Sequence, residues 1–237
     1  MNNSSSNDNN NNNNSLILCN KLISELKNTN YWQLLFKEEA ELIFFGGSTL
    51  CNTRDDFSDF DIDCITSTKN ILNKNKYNEY LEWNGKKIHM YYHSLYEINS
   101  KLFYGIDLNF MINLYLLCER IKNKDYSMII YCSNDKLIKL LINRSEEFLN
   151  FGFKELVKAN LYKIELISSG KNFIKSKWLY YLIYAKKLFF KEELDMQFLK
   201  QIKRIEWQPV KQKYLDMCVQ DIKEIKDWYE KEKVDEN

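Results

Sequence analysis

The chain is short of residues that bend a backbone, with one proline and six glycines in 237 residues. It also lacks a charge imbalance. Its 34 basic and 33 acidic residues leave a net charge of +1, so no whole-molecule field calls for nucleic acid. The six cysteines, Cys19, Cys51, Cys64, Cys118, Cys132 and Cys218, form no CxxC pair and no Cys/His metal spacing. They read as reduced thiols, several of them small buried hydrophobes, in a cytosolic protein. The longest apolar run, "WLYYLIYA", is too short to span a bilayer. The amino-terminal "NNSSSNDNNNNNN" has neither a basic end nor an apolar stretch, which argues against a signal peptide. Together these absences predict a cytoplasmic protein with no membrane partner. No internal repeat is detectable.

What is present is ordinary for a soluble globular protein, with 45% apolar and 28% charged residues. The length suits one large domain or two modest ones. Residues 1–14 form a polar, low-complexity tail for which disorder is expected. Ser15 is placed to cap a helix over "LILCNKLISELKN", and a second helix is expected over "YWQLLFKEEA". "ELIFF" then reads as a short buried strand running into Gly46 and Gly47. "DFDIDCIT" alternates polar and apolar residues, predicting a strand with Phe60, Ile62 and Cys64 on one face. "YLEWNGKKIHMYYHS" predicts a hairpin, because Asn84-Gly85 is the preferred pair for a type I′ turn. "SLYE" matches a capping box, Ser94 with Glu97.

From about Asn134 onward the pattern is helical, with loops expected near Gly152, Gly170 and "EWQPV". Pro209 suits the first turn of a final helix. The expected fold is α+β. A small mixed-sheet domain over 15–132 is followed by a helical domain over 133–237, which would help choose a substrate or partner.

In a chain with so few glycines, two adjacent ones call for a special backbone. They open the stretch "GGSTLCNTRDDFSDFDID", residues 46–63. On a strand, Asp59 and Asp61 project from one face, about 7 Å apart at the backbone. Two such carboxylates repel unless a cation sits between them, and paired oxygen ligands suit Mg²⁺ or Mn²⁺. Asp63 lies on the same face one step further along. The glycine turn exposes backbone N–H groups, which with the Ser48 hydroxyl can hold phosphate oxygens. A phosphate cradle beside a divalent-metal site is what nucleotidyl transfer from a nucleoside triphosphate requires. The plainer alternative is an ordinary turn followed by a solvated acidic strand face.

Gly47-Ser48, ten intervening residues and Asp59-Phe60-Asp61 resemble the signature of the polymerase-beta nucleotidyltransferase superfamily. "SDFDI" is similar to its Ser-Asp-hydrophobic-Asp-hydrophobic core. The motif resemblance covers residues 41–66. Beyond them the likeness is one of architecture, to two-domain members such as the bacterial, phage and minimal nucleotidyltransferases. It implies metal-binding and catalytic roles for Asp59 and Asp61, and nucleotide binding by Gly46, Gly47 and Ser48. It further implies transfer of a nucleoside monophosphate, from ATP or another triphosphate, to an acceptor hydroxyl. The acceptor is left open between a protein, an RNA end and a small molecule.

The chain also departs from the pattern. The family carries a third carboxylate on a neighbouring strand, where "KIHMYYHSL" here places His89. That imidazole either ligates the metal or takes a proton from the attacking hydroxyl, or it simply faces solvent beside the hairpin. Asp63 and Asp107 are the other candidates for a third ligand. The resemblance also puts a helix opening at Lys177 along the nucleotide cleft, where the lysine would neutralise phosphate. The alternative is a core helix with a snorkelling lysine. Arg54 either reaches a phosphate or is a surface arginine. The "MYYH" cluster and the tyrosines near 180 either stack a base or pack in the core. The missing acid keeps a second function open, a catalytically degenerate nucleotide-binding or interaction module.

Overall fold

After Glu41 the run "AELIFF" has no polar residue, and it forms a strand with its last four side chains fully buried, β1 (Ala40–Phe45). Burial on both faces is what a central strand demands. The structure, a computed structural model, describes residues 17–29, 40–55, 58–67, 81–99, 108–169, 177–203 and 212–235. The expected second helix up to residue 39, Gly170, "EWQPV" with Pro209, and the 1–14 tail lie outside the described residues. The chain divides between Ser145 and Glu146 into two compact units.

In the first unit β1 joins β2 (Phe60–Thr66), β3 (Leu81–Trp83), β4 (Lys86–Ser94) and β5 (Ile129–Cys132). The sheet order is β3-β4-β2-β1-β5; β2 and β4 run parallel and the other neighbours antiparallel. The β3–β4 hairpin turns on Asn84 and Gly85, both at positive φ (49° and 70°), as a type I′ turn requires. Alternation sorts the aromatic side chains onto two faces. Phe45, Phe60 and Trp83 pack together on one, while Phe44 and His93 meet Phe110 on the other.

Among the described residues of this unit, helix α1 spans 17–26 and gives Leu22 and Leu26 to the core. Its Glu25 accepts a hydrogen bond from the Trp83 indole. α2 (Gly47–Leu50) is a single turn, and α3 (Leu95–Asn99) begins where the Ser94 hydroxyl accepts from the Tyr96 N–H at 3.2 Å. α4 (Leu108–Lys122) buries Phe110, Met111, Ile112, Leu114 and Leu117, and packs against α2. Its Arg120 donates to the Leu50 carbonyl at 3.1 Å, which ties down the end of that short turn. α5 (Asp135–Asn143) is capped by the Asn134 side chain, which accepts from Lys136 and Leu137.

The second unit is helical: α6 (Ser145–Ser168), α7 (Lys177–Phe189), α8 (Met196–Lys203) and α9 (Gln212–Asp235). The expected loop at Gly152 is not there, because α6 runs through it unbroken. A mid-helix glycine costs about 1 kcal/mol relative to alanine. Burial of Phe148, Leu149, Phe153, Leu156 and Val157 around it outweighs that, at roughly 1.5–3 kcal/mol per large side chain. Phe153, Phe189 and Trp228 form the aromatic centre, with ring separations of 4.5 to 5.3 Å.

The fold is therefore α+β, a small mixed sheet with its helices followed by a helical unit. All six cysteines are free, and burial pushes the thiols of Cys19 and Cys118 up to about 11 and about 12. No helix among the described residues is long and apolar enough to cross a membrane.

Candidate active site at the glycine turn

The two glycines are glycines for different reasons. Gly46 is extended (φ −107°, ψ −164°), a conformation open to any residue. A Cβ there would lie 2.1 Å from Asp63 Oδ2 and 2.8 Å from Asn113 Nδ2, so the space is already taken. Gly47 sits at φ +52°, in the left-handed region that glycine occupies without strain. A Cβ on Gly47 would lie 2.1 Å from Asp61 Oδ2. Each glycine thus leaves room for one aspartate of β2. The Gly46 N–H donates to the Asp61 carbonyl at 2.9 Å, so it is committed to the strand. The other amides of the turn are those at the start of α2, where a helix's first N–H groups have no partner within the helix. Ser48 lies in that turn and is buried.

Asp59, Asp61 and Asp63 share one face, and their exposure falls along it. The Asp59 side chain is 42% exposed, Asp61 is half-buried and Asp63 is 2% exposed. At the open end, Asp59 Oδ1 accepts the Lys87 N–H at 3.1 Å, and Oδ2 lies 3.5 Å from His89 Nε2. The parallel register pairs Asp61 with His89, which puts the imidazole on the carboxylates' face and not out beside the hairpin. His89 also lies nearly parallel to the Tyr91 ring, centroids 6.4 Å apart.

At the closed end both oxygens of Asp63 are engaged. Oδ1 lies 3.1 Å from His93 Nε2, and Oδ2 accepts from Asn113 Nδ2 at 2.9 Å. Sequence reasoning missed His93 and Asn113. Two signals were available, the alternation of β4 that puts His93 on the face of His89, and a lone amide inside the apolar run "FMINLYLL". Beside this network two buried atoms, Thr49 Oγ1 and Asn113 Oδ1, have no hydrogen-bond partner among the described residues.

The remaining candidates fall elsewhere. Arg54 donates to the carbonyls of Ser58 (2.9 Å) and Asp59 (2.7 Å), and its guanidinium lies 3.6 Å above the Phe60 ring. Burial lowers its pKa against the pull of Cys19 and the neighbouring aspartates. It braces the loop that delivers Asp59. Lys177 is the first residue of α7, and its side chain lies outside the described residues, as does Asp107. Tyr180 and Tyr184 are buried and stacked on each other in α7.

Among the described residues no three His, Cys, Asp or Glu side chains converge as a ready-made metal cage. The donor chemistry of Asp59 and Asp61 still fits Mg²⁺ or Mn²⁺. Mg²⁺ is commonly held by one or two carboxylates, with water and substrate phosphates completing the shell.

No protein-family model matches the chain, and neither does any curated protein. Among solved structures it is similar to a nucleotidyltransferase-like protein from Exiguobacterium sibiricum 255-15, with 10% identity and a TM-score of 0.31. That similarity covers 85% of this chain and 73% of the other.

Proposed function

We propose that the chain is a metal-dependent nucleotidyltransferase, moving a nucleoside monophosphate from a triphosphate such as ATP to an acceptor hydroxyl and releasing pyrophosphate. The observation that supports this reading best is the fit of Gly47 to Asp61. A side-chain-free turn in left-handed conformation lies directly against a carboxylate, with Asp59 and His89 on the same face. When bound, Mg²⁺ or Mn²⁺ supplies charge neutralisation on the triphosphate and acidifies the acceptor hydroxyl. Asp59 and Asp61 hold it, and Arg54 keeps the Asp59 backbone in place. The first amides of α2 and the Ser48 hydroxyl receive phosphate oxygens. His89, 3.5 Å from Asp59, takes the hydroxyl proton. The acceptor oxygen bonds to the α-phosphorus as the bridging P–O bond breaks, and pyrophosphate leaves with the electron pair.

A second reading is favoured by one observation. The position across from Asp61 carries an imidazole where a third acid would complete the set. On that reading the chain binds a triphosphate without transferring it. Incubation with each α-labelled triphosphate, Mn²⁺ and a cell lysate separates the two. Label made covalent on a lysate component supports transfer, and retention of triphosphate without transfer supports the binding module.

A further inference from the structure

We propose that Asp63, clamped by His93 and Asn113, is a positioning residue that sets the glycine turn against the metal-binding aspartates. The inference rests on the reading of Asp59 and Asp61 given above. Asp63 is only two residues beyond Asp61 on the same strand face, yet it is 2% exposed and its oxygens are engaged by β4 and α4. A buried carboxylate costs free energy unless its hydrogen bonds are made, and a packing role alone would be served by an apolar residue. What a carboxylate adds is direction. Its Oδ2 fills the space where a Gly46 side chain would begin, and Asn113 Nδ2 closes the same space from α4.

Gly46 is thereby pinched between β2 and α4, although its extended backbone alone would accept any residue. Because the Gly46 N–H bonds the Asp61 carbonyl, a displaced Gly46 moves the backbone that carries Asp61. His93 is steadied in turn by the Phe110 ring stacked on it, with 9° between the ring planes. Three elements distant in sequence thus fix one turn. A misplacement of about 1 Å in such a site is enough to lower a rate roughly a hundredfold.

The test is a double-mutant cycle of Gly46→Ala and Asp63→Ala, with His93→Gln and His93→Phe alongside. Three quantities are read: hydrogen exchange over residues 46–50, the dissociation constant of Mn²⁺–ATP, and the melting temperature. Gly46→Ala alone is expected to speed exchange over 46–50, and to weaken Mn²⁺–ATP, by about tenfold or more. In the Asp63→Ala background, where the space is vacated, the same alanine should have little further effect, a non-additivity that marks direct coupling. His93→Gln, whose amide still donates to Asp63, should stay within about threefold of wild type, and His93→Phe should not.

Effects of Gly46→Ala and Asp63→Ala that simply multiply would overturn the proposal. So would unchanged exchange over 46–50 in the folded variants, or a glutamine that behaves like the phenylalanine. If Gly46→Ala does not fold, the two His93 variants decide by the same readouts. If wild-type protein binds no Mn²⁺–ATP, the functional reading falls and the exchange measurements alone decide the positioning role.

Discussion

Both units bury charge, and they do so in opposite ways. In the second unit Lys186 is 2% exposed and sits among Glu192, Asp221 and Glu224, with Lys187 also reaching Glu192 and Asp221. Burial alone would lower the Lys186 pKa. The carboxylates that accept its hydrogen bonds outweigh this and hold it above the usual lysine range. Each of these five charges faces an opposite one in the same cluster. In the first unit the buried end of the acidic face is closed by a histidine and an amide, while Asp59 and Asp61 are half-exposed, with His89 and the Arg54 guanidinium among their neighbours. A charge cluster completed internally holds helices together. On the proposed function, a face of like charges open at one end would receive its cation from outside.

The sharpest break of this contrast is at His89. His89→Ala should lower transfer by roughly two to four orders of magnitude, the range for loss of a general base, with the melting temperature nearly unchanged. His89→Asp should retain or raise activity by supplying a third acid beside Asp59 and Asp61. Steady-state rates of both variants check this, and a silent His89→Ala would pass the role to another group.

The converse holds for Lys186. Lys186→Met should cost roughly 3 kcal/mol of stability, the low end for breaking a buried pair, since Asp221 keeps Lys187 and two glutamates face water. Triphosphate affinity per folded molecule should not move. Urea melts alongside titration calorimetry measure both. A variant that keeps its stability and loses affinity would put Lys186 in a binding role.

Gly47→Val is next in size. Its φ of +52° and the nearby Asp61 carboxylate make any side chain there strained and obstructive. Affinity for Mn²⁺–ATP should fall about tenfold or more, proportionally further than stability. A turn of purely structural use would show large destabilisation with unchanged binding per folded molecule.

The smallest effect concerns pH. The Glu224 carboxyl is held below its usual range by its hydrogen bond from Lys186 and then by Gln220. A depressed carboxyl pKa stabilises the folded chain above the unfolded value, and that stability is lost as pH falls through the folded value. Because Glu224 is 46% exposed, the loss between about pH 5 and pH 3 should stay below about 1 kcal/mol. Urea melts of wild type and Lys186→Met across that window test it, since the variant's stability should depend less on pH.

Local signals made much of the first unit legible. Alternation marked β2, the Asn84-Gly85 pair marked the hairpin, and an apolar run ending in two glycines marked β1 and its turn. The same local logic failed at Gly152, where burial of neighbours overrides one residue's reluctance to be helical. It could not reach the partners of Asp63 either. His93 meets it only through a parallel pairing, which no short-range pattern specifies, and Asn113 only through the docking of α4. In the sequence Arg54 reads as a phosphate ligand or a surface residue. Its carbonyl partners four and five positions on depend on how the loop folds back.

The most direct test of the central claim compares wild type with Asp59→Ala and Asp61→Ala for covalent transfer of α-labelled nucleotide in Mn²⁺. Folding of each variant is checked by circular dichroism. Wild type should give labelled product and released pyrophosphate, with a loss of at least about a hundredfold in each folded variant. Undiminished transfer by either folded variant would contradict it.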